Sequence, residues 1–141
     1  MESSYKVIGT YRSFSDLWGT LRRIGNAKLL SGMFFLMKDP HPPLWENRLN
    51  IYGGSYCIKV PEKNAAETFD RYAAAAVLGL VQSEPGNQIV GISISPKKGF
   101  HILKIWNTNA KAYHKVSDVA VLGDGMISAD IIYRQNTDQK M

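Results

Sequence analysis

QIVGISIS (Gln88–Ser95), PKKG (Pro96–Gly99) and FHILKIW (Phe100–Trp106) are two alternating runs joined by a short turn. Alternation with period two sends successive side chains to opposite faces of a strand, so each run presents one apolar face. Pro96 and Gly99 supply turn chemistry between them, and the three segments together read as a β-hairpin. An antiparallel sheet is the framework that the flanking segments must join.

Upstream of the hairpin, Gly53-Gly54 opens a further strand, Ser55 to Val60. Asn64-Ala65-Ala66-Glu67 is a capping signature at the head of an alanine-rich helix reaching to about Val81. The chain's first element reads as a strand over Tyr5–Thr10. A helix follows: Ser13 caps it, Asp16 takes the acidic place of a capping box, and Phe14, Leu17, Trp18, Leu21 and Ile24 recur at helical spacing before Gly25 ends it. GMFFLM (Gly32–Met37) is a short apolar run that reads as a buried strand. Pro40, Pro42 and Pro43 then force a loop, because proline lacks a backbone donor and restricts its predecessor. Downstream, Asn109 to about Val116 reads as a short helix, Ile127–Gln135 as a last strand and Asn136–Met141 as a polar tail. The pattern predicts an α+β fold: one antiparallel sheet of about six strands with three helices packed on one side. No repeat or linker divides it, so residues 1–141 are read as a single domain.

The 141 residues are 45% hydrophobic, enough for a core and too much for wholesale disorder. Cys57 is the single cysteine, which excludes an internal disulfide and a multi-cysteine zinc site. His41, His101 and His114 lack metal-ligand spacing, so neither metal nor cofactor is expected. No apolar run is long enough to cross a bilayer and no signal-peptide core opens the chain, which reads as cytoplasmic. Seventeen Lys+Arg against twelve Asp+Glu give a net charge of +5 and favour anionic partners, with the basic residues spread out rather than gathered in one run.

No nucleophile elbow, P-loop or HExxH occurs, and no enzyme is expected. The informative segment is Pro42-Pro43-Leu44-Trp45-Glu46, which puts a tryptophan in a proline-rich loop. Phe14-Ser15-Asp16-Leu17-Trp18, Pro43-Leu44-Trp45-Glu46, Gly53-Gly54-Ser55-Tyr56, Phe69-Asp70-Arg71-Tyr72, Gly91-Ile92-Ser93-Ile94-Ser95 and Ile105-Trp106 follow in this order. The combination resembles the mRNA cap-binding translation initiation factor 4E family, over about Tyr5 to Tyr133.

The resemblance implies a curved sheet with three helices on its convex face, and capped mRNA as the ligand of the concave face. It makes Trp45 the indole that stacks on 7-methylguanine, Glu46 the reader of the guanine edge and Trp106 the flank of the N7-methyl group. The chemistry suits the residue types. A positively charged base gains about 1–3 kcal/mol by stacking and as much as ~2 kcal/mol from cation–π attraction. A carboxylate accepts both the N1 and N2 hydrogens of guanine. Lys97 falls on a phosphate-binding position of the family, Lys98 lies beside it, and Lys104 is two residues from Trp106 on the same strand face. The family's opposite stacking tryptophan falls on Met1 and one of its phosphate lysines on Ile102, so Tyr5, Tyr52 or His101 closes the sandwich, or the base stacks on one side only.

On the helix side the resemblance implies helical peptides of the initiation factor 4G or 4E-binding-protein kind, held by Phe14, Trp18 and Leu78, although Ala75 stands where the family has an acid. It also implies a sheet without the family's first strand, and an edge so exposed invites a homodimer or a partner's strand. Two rival readings follow: an interaction module or decoy acting through the Trp18 surface with little cap affinity, and a general single-stranded RNA binder on the basic face.

Overall fold

The hairpin forms as its alternation requires. In the computed structural model, which describes residues 7–119 and 131–139, it comprises β3 (Ile89–Pro96) and β4 (Phe100–Asn107), with Ile94 opposite Leu103 and Ile92 opposite Ile105. Three further strands complete one antiparallel sheet: β1 (Phe34–Met37), β2 (Gly54–Pro61) and β5 (Ile131–Gln135), in the order β1-β3-β4-β2-β5. One face buries Tyr56, Ile58, Val60, Ile92, Ile94, Leu103, Ile105 and Ile131 against Ala65, Phe69, Tyr72, Ala73 and Ala75 of the long helix α3 (Ala65–Leu78). The small residues of α3 let it lie close against the strands, and Leu21 and Ile24 of α1 (Phe14–Ile24) pack on the same core.

Both ends of α1 follow the sequence signals. The Ser13 hydroxyl accepts the Asp16 N–H at 3.3 Å, and Gly25, at φ 80°, closes the helix with its N–H on the Leu21 carbonyl. α3 departs from expectation at both ends. Asn64 makes no side-chain cap; a single 3-10 turn over Glu62–Asn64 leads in instead. The helix stops at Leu78 rather than Val81 because Gly79 turns left-handed (φ 72°), with Leu80 N–H on Ala75 O and Gly79 N–H on Ala76 O. That is the paired closure glycine permits at no steric cost.

The α+β class and single antiparallel sheet hold, with five strands among the described residues where about six are expected. Residues 7–10 join no ladder, and Val7 is 82% exposed; Tyr5 and Lys6 lie outside the described residues, as do residues 127–130 of the predicted last strand. The predicted helix over Asn109–Val116 is one isolated turn. It does not propagate: the Ala110 carbonyl meets the His114 ring Nδ1 at 2.9 Å, and the Lys115 N–H donates to the Asp118 carboxylate at 3.1 Å, the groups the next helical bonds would use. The other helical pieces are short: α2 (Asn26–Leu29), a single turn directly after α1, and 3-10 turns over Val116–Asp118 and Asn136–Gln139, so among the described residues two long helices, α1 and α3, stand where three are expected.

Candidate functional site

The ladders fix which side chains share the face away from α3, because Cα partners in antiparallel strands point the same way. One row across that open face reads Met37, Gly91, Trp106, Ser55, Arg134. The next reads Phe35, Ser93, Lys104, Cys57, Ile132, and a third Ser95, Ile102, Lys59. Trp106 and Lys104 therefore occupy one face, about 7 Å apart along β4. Trp106 is 7% exposed: its indole N–H donates to Ser93 Oγ at 3.2 Å, and Phe35 meets its ring edge-on with centroids 6.0 Å apart. A side chain at Gly91 would overlap Met37, so glycine there leaves that methionine its place beside the indole.

Topology brings the proline loop to the Trp106 end of this face. β1 and β2 are separated by β3 and β4, and the loop leaves β1 at Met37, in the Trp106 row, and enters β2 at Gly54, opposite Asn107. Residues 38–53 must cross the ends of the two central strands. Asn50, 1% exposed, pins the crossing: its Nδ2 donates to Pro42 O at 2.8 Å and Leu44 O at 2.9 Å, and its Oδ1 lies 2.9 Å from His41 Nδ1. Leu44 is buried, Trp45 half-buried and Glu46 exposed. Asn50 carried no sequence signal, since an asparagine in a polar loop is unremarkable until its partners are known.

Beneath the first row lies a buried polar cluster. Asn107 Oδ1 accepts from Gly54 N–H (3.1 Å) and the Tyr133 hydroxyl (2.7 Å), and its Nδ2 donates to Asn87 Oδ1 (3.0 Å). Asn87 in turn donates to the Tyr56 hydroxyl at 3.0 Å. Burial pushes the Tyr56 phenol up to about 12, with the Asp118 charge adding and the Asn87 hydrogen bond opposing. Burial and Tyr56 raise Tyr133 as well. Both stay neutral donors at physiological pH. Gly53-Gly54 is more than the turn its sequence indicates: a Cβ at Gly53 would overlap the Asn107 carbonyl, and one at Gly54 the Arg134 carbonyl. Only glycine lets β2 lie between these two backbones here.

A model of the family described as eukaryotic initiation factor 4E matches residues 1–139. The chain belongs to that family. Barley eukaryotic translation initiation factor 4E-1 is 30% identical over 110 residues, 77% of this chain and 50% of the relative. Factor 4E-2 of Schizosaccharomyces pombe is 24% identical over 108 residues, 74% and 44% respectively. The chain thus spans about half the length of the curated relatives it matches. Among solved structures, C. elegans eIF4E-3 in complex with the 4E-binding protein Mextli and a cap analog superposes with a TM-score of 0.77 at 18% identity, covering 96% of this chain and 81% of that one. Schistosome eIF4E complexed with m7GpppA and 4E-BP superposes at 0.65 with 19% identity, over 74% and 59%.

Measured against the 4E pattern, several assignments move. His101 is not a stacking aromatic of the open face. It alternates with Leu103 and Ile105 on the helix-covered side, is 3% exposed, and its Nε2 lies 3.2 Å from the Leu30 carbonyl. Tyr52 is 77% exposed beyond the end of β2, on a cavity of about 470 Å³ with Asn109, Lys111 and Gln135, its carbonyl held by Ala110 N–H. Tyr5 lies outside the described residues. Lys97 and Lys98 are exposed at the hairpin tip, where Lys97 N–H bonds Phe100 O, about 20 Å along the strand from Trp106. The ladder brings Lys104 to Trp106 but not those two. Arg134, absent from the sequence-based assignments, shares the Trp106 row.

On the helix side, Trp18 is half-buried with the Arg22 guanidinium 4.8 Å over its ring. Burial raises the Asp70 carboxyl of α3, with Arg22 opposing and Glu67 adding. Val77, Leu78 and Leu80 are 44%, 65% and 64% exposed. The Phe14 side chain is outside what the structure describes.

Proposed function

We propose that the chain binds the 5′ 7-methylguanosine cap of mRNA on the open face of its sheet, by recognition and not by catalysis. The observation that supports this most is topological: in a member of the 4E family, the loop bearing Trp45 and Glu46 crosses the end of the sheet where Trp106 and Lys104 lie. In this reading Trp45 stacks on the methylated base, where charge and ring face attract, and Glu46 accepts the two guanine hydrogens. Trp106, held by Ser93 and Phe35, is a rigid wall for the methyl group. Lys104 meets the phosphates as a point charge. Stacking from one side only, without a partner indole, weakens binding by roughly 1–3 kcal/mol, ten- to hundredfold.

Intrinsic tryptophan fluorescence during titration with 7-methyl-GTP, with GTP as control, tests the proposal. Saturable quenching by the methylated nucleotide and little by GTP is the expected result, lost in Trp45→Ala and Glu46→Gln. Equal quenching by both nucleotides, or none, refutes it.

A second surface supports a second activity of the same protein. Val77, Leu78 and Leu80 leave apolar side chains in water at and just beyond the end of α3, which suits the apolar stripe of a helical peptide of the 4G or 4E-binding-protein kind. Trp18→Ala and Leu78→Ala abolish capture of such a peptide and leave cap binding intact; loss of cap binding in both would refute the separation of the two faces.

A further inference from the structure

Every cation in the described strands stands on the open face. Lys59, Lys104 and Arg134 all project there, and none of the five strands contains an aspartate or glutamate. Among the described residues the ion pair present is Arg71–Glu67 on α3, so no carboxylate there neutralises the three. Lys59 rests its ammonium 4.4 Å from the Phe100 ring centroid.

Their arrangement is not a scatter. Cys57 sits in the middle: Lys104 is its Cα partner on β4, Lys59 follows two residues along β2, and Arg134 is its diagonal neighbour on β5. Ladder geometry makes these Cα separations about 5, 7 and 8 Å, within reach of one oligophosphate. Ser55, small and buried, separates Trp106 from Arg134 in the first row. The Arg134 backbone is fixed, not pendant. Gly54 admits its carbonyl, and Asn136 just beyond it donates from its N–H to Gly53 O at 3.0 Å and from Nδ2 to Asn50 O at 2.7 Å. The pin that holds the Trp45 loop thus also holds the end of β5.

We propose that the phosphates of the ligand lie over Cys57, clamped by Arg134, Lys104 and Lys59, and not at the Lys97–Lys98 tip; the identity of the whole ligand as a capped nucleotide rests on the reading above. Arg134 supplies a planar fork that grips a phosphate through two parallel hydrogen bonds, which neither lysine can.

The single thiol makes this measurable on the whole chain. Cys57 is half-exposed and reacts with a disulfide reagent such as dithiobis(nitrobenzoate). Saturating 7-methyl-GTP slows that reaction at least about tenfold, and inorganic tripolyphosphate slows it too, whereas the nucleoside 7-methylguanosine does not. Arg134→Gln and Lys104→Gln each weaken 7-methyl-GTP binding about tenfold while leaving 7-methylguanosine binding unchanged, as loss of one charge-assisted contact requires. Lys97→Gln leaves both unchanged. Unaltered thiol reactivity under saturating 7-methyl-GTP, or full 7-methyl-GTP affinity in Arg134→Gln, overturns the clamp even if tryptophan quenching establishes cap binding. Should no methylated nucleotide quench, tripolyphosphate protection that disappears in Arg134→Gln still upholds the clamp, and its absence overturns it.

Discussion

Replacing Asn50 by alanine strips the proline loop of its pin, and the cost can be worked out bond by bond. The Leu44 carbonyl loses a donor in a fully buried site, and an orphaned buried acceptor costs about 1–3 kcal/mol. The bonds to Pro42 and His41 are only partly buried, so water takes over part of each, leaving about 0.5–1.5 kcal/mol apiece. The sum is roughly 2–6 kcal/mol if the loop stays in place, and less if it peels away locally before the sheet unfolds. For a chain of this size that is a fall in Tm of about 5–15 °C. Asn50→Asp is the sharper variant, because it keeps the shape while aiming a carboxylate oxygen, in place of an N–H donor, at the Pro42 and Leu44 carbonyls. Urea unfolding followed by far-ultraviolet circular dichroism gives the global cost, and the emission maximum of Trp45 reports the loop. The expected order of stability is wild type, then Asn50→Ala, then Asn50→Asp. Asn50→Ala within about 0.5 kcal/mol of wild type, the range of an ordinary surface change, would refute the account of the loop. So would an Asn50→Asp protein as stable as the parent.

Two further outcomes are expected. Gly53→Ala, whose new methyl meets the Asn107 carbonyl, destabilises by more than 1 kcal/mol, whereas Gly19→Ala inside α1, with open space around it, stabilises by about 0.5–1 kcal/mol; thermal melts of the pair check both signs, and similar effects would show the Gly53 contact to be yielding. In alkali, Tyr56 and Tyr133 keep their protons in the folded state above the pH at which unfolded tyrosines lose them, so the stability these phenols confer is complete below pH 10.0 and is lost as pH rises, through about 12 for Tyr56 and higher still for Tyr133. Absorbance at 295 nm should therefore show at least two of the seven tyrosines ionising only as the chain unfolds; titration of all seven before the circular dichroism changes would contradict the burial argument.

Burial of Trp106 changes how the proposed cap site must be probed. An indole 7% exposed, hydrogen-bonded to Ser93 and edged by Phe35, carries part of the fold as well as part of the site. Its replacement by alanine costs about 3–5 kcal/mol and confounds affinity with folding. Trp45 and Glu46, on the loop surface, can be changed without that penalty. In the proposed cap-binding reading, the site is divided between a rigid sheet that supplies wall and charge and a pinned loop that supplies ring and carboxylate.

What sequence determined by itself was everything governed by near neighbours. The hairpin at Pro96–Gly99, the cap of Ser13 on Asp16, the closure at Gly25 and the core alternation of β2, β3 and β4 all follow from contacts within a few residues, where propensity and steric rules act directly. The order of motifs around Trp45 and Trp106 also sufficed to point to the 4E family. Only the tertiary structure decided what depends on partners far along the chain. His101 faces the helices because of strand parity in a sheet whose sidedness α3 sets; Asn50 matters because Pro42, Leu44 and Asn136 converge on it. Arg134 stayed invisible as a phosphate candidate for the same reason: its place beside Trp106 is created by strand order, which puts β5 next to β2, and strand order is a property of long-range pairing that no local pattern encodes.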